Sequence, residues 1–453
     1  MATLIKSDFA LYTVDNDKYY HHIPTNSIFN VNENIQGKII NSLLNNTPID
    51  GTEYLDESEI SKNLLSIASM IEMGQVKGED LVKIKKIAIS PTMKCNLNCT
   101  YCYNFQESPV EMLRKLPSIT KEALKKIATT VASLPLDNRL NIAFIGGEPL
   151  LNTVELELMI KYAIKALRPL NITPSFSVTT NGLLLKKEKV IQLMNRYNIS
   201  LSVSLDGPKS WNDETRLDFS GKGSYDAIID SLKIYFSKSL STHRSVRTTP
   251  KLKPGRLVGT YNHLVSLGFN DIAIGSADFE NSEFDTIDKN TILSEVDELC
   301  SLVERDLVSG SITRFSWYAE VLKSLYFGTA KKVVCGATRT YVAFDTFGRM
   351  QACHRYLGNE SYELSVEDLI TKSPVIQDVY DGSKTKHCST CLVRSLCGGE
   401  CYHVIEQFKK SNEQDERQEF MCNFKRKIYS NGIRFYIKMM KTNPDLVKKL
   451  AKM

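Results

Sequence analysis

The chain has 453 residues, of which 42% are hydrophobic, and this is enough for globular burial in two or three domains. Its 57 Lys and Arg residues nearly balance 52 Asp and Glu residues, so the net charge of +5 indicates neither a nucleic-acid-binding nor a membrane surface. No apolar run approaches the roughly 20 residues of a membrane span and the N-terminus has no signal pattern, so a cytoplasmic protein is expected.

The first 82 residues predict a small domain of strands and helices. FALYTV and KYYHHIP are typical of a β-hairpin. NENIQGKIINSLLNN and ESEISKNLLSIASMIEMG have the periodicity of two helices.

From residue 83 to about 310, strand-like runs alternate with amphipathic helical stretches. The six strand-like runs are KIKKIAIS, LNIAFIGG, SFSVTT, SLSVSLDG, SVRTTP and DIAIGSA. This alternation predicts an α/β domain with a parallel sheet and right-handed crossovers, and six units indicate a partial barrel. In such folds the chemistry lies on loops that follow the C-terminal ends of the strands.

The last third of the chain predicts a bridging helix and a cysteine-rich domain. The helix is expected within 311–332 from WYAEVLKSLYF, residues 333–430 are rich in cysteine and turn residues, and 431–453 predict a basic closing helix. A turn-rich region of this kind cannot fold on hydrophobic burial alone, so bound clusters are expected to supply the missing constraint.

The eleven cysteines are expected to be reduced thiols, because the chain is long, has an odd count and has no export signal. Ten of them fall into two groups, Cys95 to Cys102 and Cys335 to Cys422, and this grouping indicates metal ligands. Cys300, alone in a helical stretch, is expected to be an ordinary buried residue.

The first group, Cys95, Cys99 and Cys102, has the spacing C-x3-C-x2-C on the loop after the first strand of the central block. Three thiolates can hold three irons of a 4Fe-4S cluster and leave the fourth iron open to a small molecule. Zinc is the alternative, although it would require a fourth ligand that this loop does not offer.

The spacing, with the aromatic Tyr101 before the third cysteine, resembles the radical S-adenosylmethionine (SAM) superfamily, and the resemblance extends through the central block. It implies that SAM chelates the open iron and is cleaved to a 5′-deoxyadenosyl radical that abstracts hydrogen from a substrate. GGEP after the second strand is similar to a family motif in which Gly146, Gly147 and Glu148 help to hold the SAM amino group. A bare Gly-Gly turn is the alternative.

The third and fourth strands end in SVTTNG and SVSLDG, which resemble the ribose and carboxylate contacts of that family. Thr180, Asn181 and Ser204 are the implied polar contacts. Arg216 matches an arginine that could pair with the SAM carboxylate, and a solvated helix charge is the other interpretation. Asp206 could equally be a turn or helix-cap residue.

The second group of seven cysteines resembles the SPASM extension of radical SAM peptide maturases at every interval. A zinc ribbon is the alternative, but seven cysteines exceed one site. The resemblance implies two auxiliary 4Fe-4S clusters, and hence three clusters in all. The implied outer ligands are Cys388, Cys391, Cys397 and Cys422, and the implied inner ligands are Cys335, Cys353 and Cys401.

This chain departs from its relatives in two respects. The inner set is one ligand short, so its open iron could bind a substrate thiolate or be capped by another residue. Anaerobic sulfatase maturases have a catalytic Asp directly after the cysteine that matches Cys353, whereas this chain has His354, so a sulfatase maturase is not expected. His354 could be a base or proton relay, or a hydrogen-bonded structural residue.

Together these features predict a partial (β/α)6 radical SAM barrel with an N-terminal winged-helix-like peptide-recognition domain and a C-terminal SPASM domain. IPTNSIFNVNENIQGKIINSLLNN resembles domains that bind a leader peptide as an added strand, although a structural cap is the alternative. The implied partners are a precursor peptide and an external flavodoxin- or ferredoxin-type electron donor, without nucleic acid or membrane.

Thioether formation between a cysteine sulfur and a carbon is the leading hypothesis, because CHRYLGNESYEL resembles a stretch of thioether-forming maturases that include relatives of the quinohemoprotein amine dehydrogenase maturase. Carbon-carbon cross-linking of side chains is the alternative. A non-catalytic iron-sulfur electron carrier or a peptide-binding scaffold is the alternative of another class.

Overall fold

The structure is a computed structural model that describes residues 2–6, 9–30, 82–102, 117–275, 287–331, 333–379, 386–409 and 414–452. The chain forms two compact units. The first contains residues 1–80, 288–335 and 377–453, and the second contains 81–287 and 336–376. The two helices expected over 32–46 and 57–74 lie outside the described residues, and so does the part of the winged-helix prediction that depends on them.

The first unit begins with an antiparallel sheet of four strands in sequential order. The strands are β1 Ala2–Lys6, β2 Phe9–Val14, β3 Asp17–His22 and β4 Ser27–Asn30. Strands β2 and β3 form the hairpin expected from FALYTV and KYYHHIP. Asp15 and Asn16 form its two-residue turn, with φ values of 48° and 70° that suit such tight hairpins.

The second unit contains the parallel sheet that the alternating pattern predicts. Its six strands are β5 Ile84–Ile89, β6 Leu136–Phe144, β7 Ser175–Thr180, β8 Ser200–Ser204, β9 Ser245–Thr248 and β10 Asp271–Ile274. Each strand pairs in parallel with the next one along the chain. Because the six strands are parallel, the loops after all of them open on the same edge of the sheet.

Helices connect these strands. They are α1 Lys121–Ser133, α2 Thr153–Leu167, α3 Glu188–Arg196, α4 Lys209–Asn212, α5 Tyr225–Lys238 and α6 Arg256–Ser266. Thr120 caps α1 because its hydroxyl accepts a hydrogen bond from the Ala123 backbone amide. The helices turn buried apolar side chains such as Leu124 and Ile160 inward, which is the pattern of an α/β layer fold.

Two further groups of elements follow in chain order. In the first unit come α7 Lys289–Ser309, β11 Arg314–Phe315 and α8 Ser316–Phe327, and α8 lies within 311–332, where a helix was expected. In the second unit come β12 Tyr341–Phe344, β13 Met350–Gln351 and α9 Val366–Val379, the last of which runs past the boundary at 376. Strand β12 pairs in parallel with β5 and antiparallel with β13, and the sequence did not predict this extension of the sheet.

The first unit ends in helices, which are α10 Lys386–Ser389, α11 Arg394–Cys397, α12 Tyr402–Lys409, α13 Gln414–Thr442 and α14 Pro444–Lys452. Where one closing helix was expected over 431–453, α13 already begins at Gln414 and α14 starts afresh at Pro444. Proline lacks the backbone N–H that would continue α13 but is favourable at the first position of a helix. In the described part of the chain, no helix is both long and apolar enough to cross a membrane.

The core of the first unit joins the N-terminal sheet to these later helices. Tyr12 and Ile23 from the sheet pack in one cluster with Val321 of α8, Leu396 of α11 and Ile433 of α13. The half-buried side chains of Cys391 and Cys397 pack against the same cluster. The N-terminal sheet therefore shares its core with the segment that carries Cys391 and Cys397.

Candidate active site at the strand ends of the second unit

The cysteine loop follows β5, and its three thiols are half-buried. Burial raises the pKa of the Cys95 thiol to about 12, and nearby Glu148, Cys99 and Cys102 act in the same direction. Burial also raises the pKa of Cys99, although the Arg216 guanidinium opposes this. Burial and neighbouring negative charge both disfavour the thiolate form of a cysteine. Thiols packed together in this way become thiolates only when a cation such as iron binds them.

The two glycines of GGEP let the cysteine loop pack closely on β6. A Cβ on Gly146, where φ is 125°, would lie 2.3 Å from Ser90 Oγ, and one on Gly147 would lie 2.3 Å from the Lys94 carbonyl oxygen. The Gly147 backbone N–H donates to the Thr92 carbonyl at 3.0 Å. The glycines therefore bring the loop backbone against the strand end, which any side chain would prevent.

Glu148 is fully buried and accepts three hydrogen bonds. They come from the Thr180 hydroxyl at 2.8 Å, the Asn181 backbone N–H at 2.8 Å and the Leu150 backbone N–H at 3.1 Å. Burial raises the pKa of this carboxyl, and the hydrogen bonds from Asn181 and Thr180 oppose the shift. Glu148 thus joins the ends of β6 and β7 through a buried acceptor.

The Asn181 side chain reaches from the end of β7 to the cysteine loop. Its Nδ2 donates to Asn96 Oδ1 at 2.8 Å and lies 3.8 Å from Cys95 Sγ. Its Oδ1 accepts from the Leu183 backbone N–H at 3.1 Å, so both ends of the amide are held. A residue expected to contact SAM therefore also contacts Cys95, which is expected to be a cluster ligand.

Tyr101, Asp206 and Arg216 form a network beside the cysteine loop. The Tyr101 hydroxyl donates to Asp206 Oδ2 at 2.5 Å and accepts from Arg216 Nη1 at 2.7 Å. Arg216 Nη1 lies 3.8 Å from Asp206 Oδ2 as an ion pair, and both side chains are buried. Asp206 Oδ1 accepts from the Thr249 backbone N–H at 2.8 Å, so the network also reaches the loop after β9.

The backbone on either side of Arg216 is bonded to the same loop. The Asn98 N–H donates to the Leu217 carbonyl at 2.7 Å, and the Thr100 N–H donates to the Thr215 carbonyl at 2.9 Å. Burial opposes a charge on Arg216, but Tyr101, Cys99 and Asp206 outweigh this and raise its pKa well above the ordinary value. Arg216 is therefore a buried cation of the site and not a solvated helix charge.

The sequence interpretation named most of these residues but missed the part played by Asp206. It left Asp206 open between a contact of the site and a turn or helix-cap residue, whereas its carboxylate bonds the cysteine loop and the loop after β9. The position of Asp206 at a strand end beside a glycine was the available signal. Ser204 lies half-buried at the end of β8, opposite Arg247 of β9 in the sheet register, and its predicted contact with SAM stays a prediction.

The outer set of the second cysteine group lies together in the first unit. Burial raises the pKa of Cys422 to about 11, Cys388 and Cys397 add to this, and Arg426 and Lys425 oppose it. Lys425 Nζ also bonds Glu400 Oε2 at 2.7 Å. The two cations follow Cys422 by about one turn of α13, where they can offset the charge of thiolates.

The inner set is divided between the two units, since Cys335 and Cys401 belong to the first and Cys353 to the second. His354 follows Cys353 directly, and its Nδ1 lies 2.8 Å from the Tyr341 hydroxyl and 3.7 Å from Cys353 Sγ. The contact with Tyr341 holds the imidazole ring of His354. Its predicted role as a base stays a prediction.

Among the residues that the structure describes, no group of three or more His, Cys, Asp or Glu side chains is arranged to hold one metal ion. A 4Fe-4S cluster makes a different demand, because each cysteine binds a different iron and the sulfur atoms need not converge on one point. The half-buried thiols of the first group, with Arg216 nearby, fit such a cluster in donor type, number and charge.

Comparison with known proteins agrees with this geometry. Residues 89–249 match the Radical SAM superfamily. The chain is 24% identical over 354 residues to the radical SAM cyclopropyl synthase TigE of Paramaledivibacter caminithermalis, covering 72% of this chain and 69% of that protein. It is 30% identical over 156 residues to a cysteine-type anaerobic sulfatase-maturating enzyme of Clostridium novyi, covering 34% of this chain and 41% of that protein.

The fold is also similar to a solved structure, that of anSMEcpe with bound AdoMet. The TM-score is 0.63 at 16% sequence identity, and the likeness covers 81% of this chain and 98% of that chain. At this identity the likeness concerns the fold.

Proposed function

Residues 89–249 are a radical SAM domain, and from this premise we propose that the protein is an enzyme that cross-links a ribosomally made precursor peptide. The single observation that carries the proposal is the contact of Asn181 with both Asn96 and Cys95, at 2.8 and 3.8 Å. This contact brings the polar groups at the strand ends close to the cysteine loop. A molecule bound to a cluster on that loop would therefore contact these polar groups.

The residues that would hold the cofactors follow from this arrangement. Cys95, Cys99 and Cys102 would bind a 4Fe-4S cluster, and bound SAM would supply the hydrogen-abstracting radical chemistry of the superfamily. Gly146, Gly147 and Glu148, together with the polar groups of Thr180, Asn181 and Ser204, would hold the amino and ribose groups of SAM. Arg216 would pair with its carboxylate, as a buried guanidinium is suited to do.

The second group of cysteines would hold two auxiliary 4Fe-4S clusters. The outer ligands are Cys388, Cys391, Cys397 and Cys422, and the inner ones are Cys335, Cys353 and Cys401. The inner set leaves one iron without a cysteine ligand from this chain, which suits binding of a substrate thiolate. An external flavodoxin- or ferredoxin-type donor supplies the one electron that begins turnover, and an electron leaves again when the bond closes, so there is no net consumption of the donor. His354 is the proposed acceptor of a proton.

A peptide is the proposed substrate because, among the described residues, the N-terminal sheet has β1 and β4 as its edge strands, on which an added strand could pair. Two proteins to which the chain is similar, TigE and the sulfatase-maturating enzyme, are named for cyclopropyl synthesis and for maturation of a sulfatase. The second of these names supports a polypeptide as the substrate class.

The leading reaction is a thioether between a cysteine sulfur and a carbon. One C–H and one S–H bond break and one C–S bond forms, so the peptide loses two hydrogens. SAM is the net oxidant, and it ends as methionine and 5′-deoxyadenosine with release of one proton. The similarity to TigE, a cyclopropyl synthase by name, favours carbon-carbon bond formation as the second candidate.

Mass spectrometry of the product separates the two candidates. The reconstituted enzyme is incubated anaerobically with SAM, a reductant and the precursor peptide, and the product is analysed before and after thiol alkylation. A loss of two hydrogens with one cysteine newly protected from alkylation supports the thioether. The same loss with every thiol still reactive supports a carbon-carbon link, and an unchanged peptide contradicts the proposal.

A further inference from the structure

We infer that Asp206 is a positioning residue that fixes, through Tyr101, which edge of the Arg216 guanidinium faces the SAM carboxylate. The inference rests on the proposed function, since it concerns the same SAM site. It assigns Asp206 a role that neither a turn residue nor a helix cap would have.

Asp206 is hydrogen-bonded to three different segments of the second unit. Its Oδ2 accepts from the Tyr101 hydroxyl at 2.5 Å, and its Oδ1 accepts from the Thr249 backbone N–H at 2.8 Å. Its own backbone N–H donates to Asn212 Oδ1 at 3.3 Å. With both oxygens engaged and only 3% of the residue exposed, the carboxylate has little freedom to turn.

Arg216 is only 5% exposed, and its guanidinium nitrogens differ in whether they have a hydrogen-bond partner. Its Nη1 is engaged by the Tyr101 hydroxyl at 2.7 Å, whereas its Nε is buried and has no hydrogen-bond partner among the described residues. A buried donor without a partner is costly, and a guanidinium binds a carboxylate through two parallel N–H groups. The Nε side of Arg216 is therefore the side left for an anionic ligand.

Charge and geometry predict opposite results when Asp206 is neutralised. Asp206 Oδ2 lies 3.8 Å from Arg216 Nη1, so it lowers the positive potential that attracts a carboxylate. If only charge mattered, Asp206→Asn would bind SAM more tightly. If Asp206 positions the guanidinium, the variant binds SAM less tightly. Tyr101 and Thr249 donate to different oxygens of the carboxylate, and asparagine keeps an oxygen at only one of these two positions.

The test is the dissociation constant of SAM, measured by equilibrium dialysis on reconstituted, unreduced enzyme so that no SAM is consumed. We expect Asp206→Asn to weaken SAM binding about tenfold at unchanged iron content, the size of one charge-assisted hydrogen bond. Unchanged or tighter binding overturns the inference. Wild-type enzyme that binds no SAM contradicts the proposed function instead, so the two failures are distinguishable.

Two further variants keep the test decisive. Tyr101→Phe removes only the hydroxyl that links Asp206 to Arg216, and it decides the matter if Asp206→Asn fails to fold. We expect it to weaken SAM binding several-fold and to diminish the change that SAM causes in the electron paramagnetic resonance spectrum of the reduced cluster.

The matched control is Asp345→Asn, which neutralises another buried carboxylate. Asp345 is 1% exposed, bonds Arg349 Nε at 2.7 Å and accepts from two backbone N–H groups in the turn after β12. We expect its SAM dissociation constant to match that of the wild type. Equal weakening by Asp345→Asn and Asp206→Asn would overturn the inference.

Discussion

Ser395 and Asn26 are 369 positions apart, yet the Ser395 hydroxyl donates a 2.7 Å hydrogen bond to Asn26 Oδ1 in the buried part of the first unit. Asn26 Oδ1 also accepts from His21 Nε2 at 3.1 Å, and Asn26 Nδ2 donates to the Thr329 carbonyl at 2.7 Å. One side chain thus connects the N-terminal sheet, the segment after α8 and helix α11, which ends at Cys397.

The first prediction concerns this connection. Asn26→Gly keeps the left-handed backbone, where φ is 53°, but leaves the partners of the Asn26 side chain unpaired. We expect the free energy of unfolding to fall by about 3 kcal/mol, measured by anaerobic urea denaturation. Asn16→Gly is the control, because Asn16 has φ of 70° but is exposed in a hairpin turn. Equal stability of the two variants would refute the claim that the Asn26 side chain stabilises the first unit.

The second prediction is a pH dependence set by His21. Burial lowers the pKa of His21 from 6.5 to about 4, so between these values the unfolded chain binds more protons than the folded one. The contribution of His21 to the free energy of unfolding is full above about pH 6.5. It decreases by about 3 kcal/mol in total as the pH falls towards 4.

His21→Gln tests this pH dependence, since an amide can still bond Asn26 but does not titrate. We expect the variant to lose less stability than the wild type between pH 7 and pH 5 in thermal unfolding. Parallel stability profiles for the two proteins would show that His21 does not titrate as argued.

The sequence predicted the parallel sheet well because each strand carries its own local pattern of apolar residues. It could not predict that Tyr341–Phe344 pairs with β5, because a four-residue apolar run shows no partner and the two strands are far apart in the chain. Asp206 and Asn26 were missed for a similar reason. A polar residue beside a turn looks the same in sequence whether its side chain meets water or a distant buried group.

The third prediction concerns the close contact at GGEP. In Gly147→Ala the new methyl group would collide with the Lys94 and Met93 carbonyl oxygens, at 2.3 and 2.5 Å, so the cysteine loop must move. We expect reconstituted protein to lose about four irons per chain, measured by iron analysis. Gly275→Ala is the control, because its Cβ would meet nothing closer than 3.8 Å. Full iron loading of Gly147→Ala would contradict the argument.

The fourth prediction distinguishes the two kinds of cysteine. Cys422→Ser removes a proposed ligand of the outer auxiliary cluster, and we expect about four fewer irons than the roughly twelve of three clusters. Cys300→Ala changes a cysteine buried in α7 beside the Tyr318 hydroxyl and should leave the iron content unchanged. Wild-type protein that holds only about four irons would rule out both auxiliary clusters.

The central claim is that the chain is a radical SAM enzyme, and the most direct test is formation of 5′-deoxyadenosine. Anaerobically reconstituted wild-type protein is incubated with SAM and dithionite, and the products are separated by liquid chromatography and identified by mass spectrometry. We predict that the wild type forms 5′-deoxyadenosine and methionine and that Cys99→Ala forms neither. Wild-type protein with its irons in place that forms no 5′-deoxyadenosine would contradict the account and favour a non-catalytic iron-sulfur protein.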